Sequence, residues 1–236
     1  MRGKSRRPGS FFGRRKAQKL KARKQSLVDD LLPQLVLDLS DKPPTDPAQL
    51  FGPTESSDHK IKAFRMEIGF GGGEHLAKEA ELNRNIGFVG VEPFINGMAK
   101  MLGEVENRNL SNVRLYDEDA ALAMDWLPAA SFSRIDLLYP DPWPKKKQLK
   151  RRFVSQSNLD RIARLLMPGG EFRFASDIES YVNWTLLHCS KHPMFDWTAQ
   201  CADDWHQPWS NWHRTRYEAK AIREGRTPAY LIFKRQ

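Results

Sequence analysis

A chain of 236 residues, 40% of them hydrophobic, suits one large domain and can fill its core. It carries 38 Lys and Arg against 29 Asp and Glu, yet eleven of the cations lie within Met1 to Lys24, where no acid stands, so the body beyond is close to neutral. Two cysteines exclude a disulfide scaffold and make a reducing cytoplasm the default, and neither a membrane-length apolar run nor a secretory signal is present.

In chain order, residues 1–25 read as a basic, flexible arm of the kind that contacts nucleic acid. A mitochondrial address fits less well, because the arm has few serines and no apolar stripe. Residues 26–58 read as a short helix and a linker: "SLVDDLLPQLVLDL" is amphipathic with an interruption at Pro33, and 41–58 is rich in Pro, Thr and Ser. One domain is expected over 59–236. Its apolar runs predict strands at 64–68, 87–91, 113–116, 135–139 and 171–174, with two weaker ones at 195–198 and 229–234. Helical periods lie between them at 74–82, 94–107, 120–126, 152–166 and 178–188, and Met167-Pro168-Gly169-Gly170 reads as a helix stop and turn. Strand and helix alternating in this way predict a doubly wound α/β sheet. Such sheets bind ligands beyond the carboxyl ends of their strands. That rule selects 69–73, Glu92, 116–119, 141–144 and 176–177.

Glu67-Ile68-Gly69-Phe70-Gly71-Gly72-Gly73 follows the first strand and opens a helix, so the backbone there can turn sharply and approach a ligand. A dinucleotide fingerprint would need a further glycine where Glu74 stands, and a carboxylate at a helix start repels a pyrophosphate. Glu92 ends the second strand and suits two ribose hydroxyls, while Glu67 suits a cationic amino-acid tail. Together these acids favour S-adenosylmethionine, a sulfonium, over NAD. Asp117, Glu118 and Asp119 end the third strand; spacing alone does not choose which of them meets an adenine, and a simple helix cap competes with all three.

After the fourth strand comes "YPDPWPKKKQLKRR". The prolines restrict the backbone around Asp141, Trp143 offers a flat face to a base, and Lys145, Lys146, Lys147, Lys150, Arg151 and Arg152 can neutralise phosphates. If the acceptor is guanine N7, its in-plane lone pair needs no proton removed. A general base supplies about 10²–10⁴-fold, whereas alignment of the reactants can supply about 7–11 kcal/mol. Asp141 therefore reads as an orienting group.

The segments "EIGFGGGEHL", "GVEPF", "YPDPWPKKK", "SD" at 176–177 and "TRYEAKAIREG" at 215–225 together resemble the bacterial tRNA (guanine-N7-)-methyltransferases over nearly the whole chain. The resemblance implies a class I methyltransferase Rossmann-like sheet, mostly parallel with a C-terminal antiparallel strand. It implies S-adenosylmethionine contacts at Glu67, Gly69, Gly71, Gly73, Glu92, Asp119 and Asp141. It also implies tRNA contacts at Lys145, Asp177, Thr215, Arg216, Tyr217 and Glu218. Gln148 stands where many members have His, and Arg216-Tyr217 where Lys-Phe is commoner.

A guanine presents N1–H and N2–H₂ donors together, so Glu218 or Asp177 could accept from both and reject adenine. The tryptophans at 184, 197, 205, 209 and 212 read mainly as packing. Cys189, His192, Cys201 and His206 fit no paired-ligand spacing, so no metal is expected. Three other readings compete. An exocyclic-amine methyltransferase would share the Asp141-Pro142-Trp143 segment but lacks a terminal aromatic at Pro144, a non-catalytic tRNA-binding protein would have no use for the acids, and a dehydrogenase conflicts with Glu74. The sequence leaves monomer or homodimer open.

Overall fold

The computed structural model describes Gly13 and residues 15–52 and 60–236. Most of the basic arm's first half thus lies outside the described residues, as does the stretch 53–59 of the linker.

Seven strands form one sheet: β1 Ala63–Ile68, β2 Ile86–Val91, β3 Val113–Tyr116, β4 Phe132–Leu138, β5 Leu166–Ser176, β6 Phe195–Trp197 and β7 Ala229–Arg235. Their order is β3-β2-β1-β4-β5-β7-β6. Strands β1 to β5 pair in parallel, and β7 runs antiparallel to both β5 and β6. The chain winds outward from β1 to β3, then returns to lay β4 against the other side of β1. This is the switch point at which doubly wound sheets hold ligands. Register brings the strand ends level there, with Ile68 beside Val91 and Leu137, and Val91 beside Tyr116.

Helices α1 Glu74–Leu82 and α2 Ile95–Arg108 follow β1 and β2; α3 Ala120–Trp126, α4 Gln156–Leu165 and α5 Glu179–Ser190 follow β3, β4 and β5. Two short helices, α6 Asp203–His206 and α7 Arg216–Arg223, precede β7. Two large apolar clusters and a small third one, of Leu138, Ala175 and Tyr230, form among the described residues. One large cluster joins Leu76, Met98, Met101 and Leu102 of α1 and α2 to Phe88, Val113 and Leu115. The other large one joins Ala123, Leu159, Ile162 and Tyr181 of α3 to α5 to Ile135, Phe172, Phe174 and Phe233. A buried aliphatic or aromatic side chain of this kind contributes about 1.5–3 kcal/mol, which is why these strands read as unbroken apolar runs.

The strand and helix expectations hold closely for β1 to β3 and α1 to α3; β4 starts three residues before the expected 135 and ends before Tyr139, α6 and α7 have no expected counterpart, and three further local features differ. The first helix starts inside the basic stretch: Ala22–Ser26, Leu27–Leu31 and Leu32–Leu35 run on, and the middle piece is a π turn. Leu32 N–H donates to Leu27 O, five residues back. The wider turn accommodates Pro33, which lacks an N–H and would clash in a regular helix. The helix expected over 152–166 starts later. Lys146–Arg151 forms a 3₁₀ turn, and α4 opens only where Ser155 Oγ accepts from Asn158 N–H at 3.4 Å. Met167 to Gly170 does not separate helix from strand. Leu166 already pairs with Phe132, the next partners are Arg134 and Glu171, and the four residues bulge out of β5. A bulge needs no ladder donor from Pro168, and Gly169 supplies the positive φ of 77°.

The described part of the helix and linker stretch, 26–52, is packed onto the body. Leu37 N–H donates to Leu115 O at 2.8 Å, and Phe51 stacks on Phe64 with ring centroids 5.9 Å apart. Among the described residues no helix is long and apolar enough to cross a membrane.

Candidate active site

A cavity of about 700 Å³ opens over the ends of β1, β2 and β4, a size usual for small-molecule sites. The glycine loop forms its floor. Gly69, Gly71 and Gly73 all have positive φ, at 71°, 59° and 80°, and Gly73 N–H donates to Phe70 O to close the turn. No described residue beyond its chain neighbours lies within 4 Å of where a Cβ of Gly69 would stand, so the backbone there is open toward the cavity. A Cβ on Gly97, in the first turn of α2, would come within 2.1 Å of Gly71 O. This glycine lets the helix pack directly under the loop. The sequence reading missed it, although a glycine in a first helical turn was a legible signal.

Glu92 is buried at the end of β2. Its Oε2 accepts from Gly71 N–H at 2.7 Å and its Oε1 from Phe94 N–H at 2.9 Å. Burial pushes its carboxyl pKa up, the two amides pull the other way, and the charge of Asp141 adds to the rise. Asp119 caps α3, its Oδ1 accepting from Ala121 N–H at 3.0 Å.

Asp141 stands open to the cavity, with no hydrogen bond or ion pair to another described residue. The surrounding protein raises its pKa by desolvation. Tyr139 and Trp143, on either side of the Pro140-Asp141-Pro142 segment, both have positive φ, 49° and 43°. For residues with side chains this conformation costs about 1–3 kcal/mol each, so surrounding contacts must hold the segment. Arg152 supplies one, Nε donating to Pro142 O at 2.9 Å, and is itself anchored by its two terminal nitrogens to Ser180 O at 2.8 Å and Ser180 Oγ at 3.0 Å. Its guanidinium also lies over the rings of Tyr181 and Trp184, at 4.7 and 5.3 Å.

Of the residues expected at the site, Gly69, Gly71, Glu92, Asp119, Asp141, Lys150, Arg151, Arg152 and Tyr217 line this cavity, as does Trp143. Arg151 lies over the Trp143 ring at 5.0 Å. Lys145, Lys146 and Lys147 are exposed on the segment leaving the cavity. Buried Arg152 is turned inward as a brace for Pro142, away from the solvent where a phosphate would lie.

Glu67, Asp177 and Glu218 are engaged elsewhere. Glu67 Oε2 is 2.8 Å from His75 Nδ1, and both side chains are buried. A carboxylate only accepts, so Nδ1 carries the proton. Burial works against the His75 charge, but Glu67, joined by Asp136 and Glu79, outweighs it and the imidazole pKa is raised. Asp177 Oδ2 accepts from Arg226 Nε at 2.5 Å. Glu218 Oε1 accepts from the Tyr230 hydroxyl at 2.5 Å and Oε2 from Trp212 Nε1 at 2.6 Å, behind the Thr215 cap of α7. Trp212 in turn packs against the His75 ring, with centroids 5.1 Å apart.

The described part of the basic stretch runs beside the cavity. Ile95 N–H donates to Arg15 O at 3.0 Å; Asn96 Oδ1 accepts from Ala17 N–H at 3.0 Å and its Nδ2 donates to Gln18 O at 2.9 Å. Gly13 joins the cavity wall.

A family of methyltransferases, described as "Putative methyltransferase", matches residues 62–231. The tRNA (guanine-N(7)-)-methyltransferase of Rhizobium meliloti is 57% identical over 226 residues, covering 96% of this chain and 95% of that one. The chain belongs to the tRNA (guanine-N(7)-)-methyltransferase family. The member from Agrobacterium fabrum is 55% identical over 233 residues, covering 99% and 98%. A 16S rRNA methyltransferase, KamB, superposes with a TM-score of 0.52 at 15% identity, over 75% of this chain and 89% of the other. That likeness concerns the fold alone: the sheet is the class I methyltransferase arrangement, with β7 reversed between β5 and β6.

Proposed function

We propose that this protein methylates N7 of a guanine in the variable loop of tRNA, with S-adenosylmethionine as donor. The observation that carries the reading is a single cavity in which the glycine loop and Glu92 meet Asp141 and Trp143, with exposed lysines at its exit. The residues fit an adenosyl donor. The space beside Gly69 admits a ligand against the backbone, and no pyrophosphate has to face Glu74. When bound, the donor supplies an electrophilic methyl group.

Each residue then has a task. Glu92 holds the loop through Gly71 N–H while keeping lone pairs for ribose hydroxyls. Asp119 stands at the third strand end, where an adenine amine would lie. Asp141, held by the twisted Tyr139–Trp143 segment, fixes the acceptor's approach and offsets the charge the purine gains. Alignment is its contribution, since N7 has no proton to lose. Lys145, Lys146, Lys147 and Lys150 bind tRNA phosphates. The domain over 59–236 carries the reaction and the basic stretch contributes to tRNA binding. We place the reaction in the cytoplasm, consistent with two cysteines that are both free.

The test is nucleoside mass spectrometry of unmodified tRNA incubated with the protein and S-adenosylmethionine, alongside Asp141→Ala. 7-Methylguanosine with the parent protein and its loss in the variant support the reading. A methyl on an exocyclic amine would overturn the acceptor atom, and no methylation of any tRNA would leave only binding.

A further inference from the structure

The first turn of α7 divides Thr215-Arg216-Tyr217-Glu218 between two directions. Thr215 Oγ1 accepts from Glu218 N–H at 3.1 Å and starts the helix. Glu218 then points inward. It is 2% exposed, and both its oxygens are taken by donors on either side of α7 in the chain, Trp212 and Tyr230. A carboxylate so used is poorly placed to read a base edge.

Neighbouring helical residues project about 100° apart, and Tyr217 leaves Glu218's buried side for the cavity wall. The residue is 47% exposed. It lies over the glycine loop: a Cβ on Gly71 would stand 3.3 Å from Tyr217 Cε2. Arg216 lies over the same ring at 4.9 Å, bonds its hydroxyl at 3.2 Å and reaches Glu74 only at 3.8 Å. A large aromatic face thus borders the cavity, and among the described residues its one stacking partner is a guanidinium.

We propose that Tyr217 is the platform on which the acceptor guanine stacks during methylation, and that Glu218 sets this ring in place without touching the base. The proposal rests on the guanine-N7 reading above. In the reaction the N7 lone pair forms the new N–CH₃ bond, and the S–CH₃ bond breaks with its electron pair returning to sulfur. No proton leaves; the positive charge passes from sulfur to the purine. An aromatic face attracts a cationic ring system more than a neutral one, so the stack strengthens as the charge arrives and favours the transition state over the ground state. Arg216, a cation on the same face, must move off the ring as the base enters, and a tRNA phosphate gives it a partner.

The experiment compares Tyr217→Leu and Tyr217→Phe with the parent protein in three readouts. These are steady-state methylation of tRNA, calorimetric binding of S-adenosylmethionine, and tRNA binding in the presence of S-adenosylhomocysteine. The leucine variant is expected to lose roughly 10- to 100-fold in kcat/KM for tRNA, with part of the loss in kcat and with donor affinity unchanged. The phenylalanine variant is expected to stay within about 3-fold of the parent, because the stack needs the ring and not the hydroxyl. A loss of donor affinity as large as the loss in kcat/KM would mean the ring contacts the donor, and would overturn the proposal. So would a phenylalanine variant as poor as the leucine one. If the parent protein itself forms no 7-methylguanosine, the underlying reading falls first, and the two failures are told apart.

Discussion

Glu92 holds the glycine loop by its carboxylate, with Oε2 2.7 Å from Gly71 N, across twenty-one positions of sequence. The other oxygen meets Phe94 N–H, so one buried side chain satisfies two amides at the ligand end of the sheet. Glutamine has a single carbonyl and would turn N–H donors toward one of them. Glu92→Gln is therefore expected to destabilise the fold by about 1–3 kcal/mol, read from urea unfolding. It should also weaken S-adenosylmethionine binding at least tenfold in calorimetry. Unchanged donor affinity would separate Glu92 from the donor site.

Asp141 faces the cavity with its pKa raised by desolvation. If the carboxylate form orients the acceptor, kcat/KM for tRNA falls on the acid side, with a midpoint above the usual value of about 3.9. Asp141→Asn should keep the shape, remove the charge and abolish this acid limb, with activity lower by roughly 10²-fold as expected for lost alignment. A pH–rate profile of both proteins at saturating donor checks it. An acid limb that persists in the variant would assign the titration to another group.

Glu67 and His75 make stability depend on pH. The buried Glu67 carboxylate raises the His75 pKa in the folded protein against the opposing effect of burial. A raised folded value contributes stability that is whole below the unfolded value of about 6.5 and is lost as pH rises through the folded value. Glu67→Gln is expected to lower stability by about 1–3 kcal/mol on the acid side, with the gap to the parent narrowing as pH increases. Thermal unfolding across that range tests the sign, and a gap that widens with pH would contradict it.

How much of this was legible depended on whether a residue's place followed from a strand end, or from side chains that only the folded packing brings together. The glycine loop and Glu92 follow from strand ends and spacing, and both reach the cavity. Glu218 looked like a base reader because a carboxylate matches guanine. Its oxygens are filled by Trp212 and Tyr230, which arrive from a loop and from the reversed strand β7, and no local pattern announces them. Arg152 sat in a run of cations, yet its direction is set by Pro142 and Ser180, the latter on α5. The positive φ of Tyr139 and Trp143 was not legible, since neither residue type favours it.

Buried charges beneath the site lead to a stability test. Arg134 joins Asp136 at 2.8 Å and Glu79 at 2.6 Å, and Glu79 also accepts from Arg65 at 3.0 Å. Burial disfavours the Arg134 charge, yet its two carboxylates hold its pKa above the ordinary value. Removing this one cation strands buried Asp136 and leaves Glu79 with Arg65 alone, so Arg134→Ala should cost about 3–5 kcal/mol, measured by urea unfolding. A loss under 1 kcal/mol would mean that water reaches the group.

The basic stretch brings charge and docking into one segment, and two variants separate them. Deleting Met1 to Lys24 removes eleven cations. Each cation that meets a phosphate contributes about 0.7–0.9 to the slope of log affinity against log salt, so the deletion should weaken tRNA binding and flatten that slope. Asn96→Ala keeps every charge and removes the two side-chain bonds that fix Ala17 and Gln18 beside α2. With the docked backbone loosened, the slope should stay near that of the parent, while tRNA affinity falls by about 5- to 10-fold as two hydrogen bonds and some preorganisation are lost. Filter binding at several salt concentrations distinguishes the outcomes. A slope unchanged by the deletion would remove the stretch from the tRNA interface, and an Asn96→Ala slope as flat as the deletion's would show that docking is what brings those cations to the phosphates.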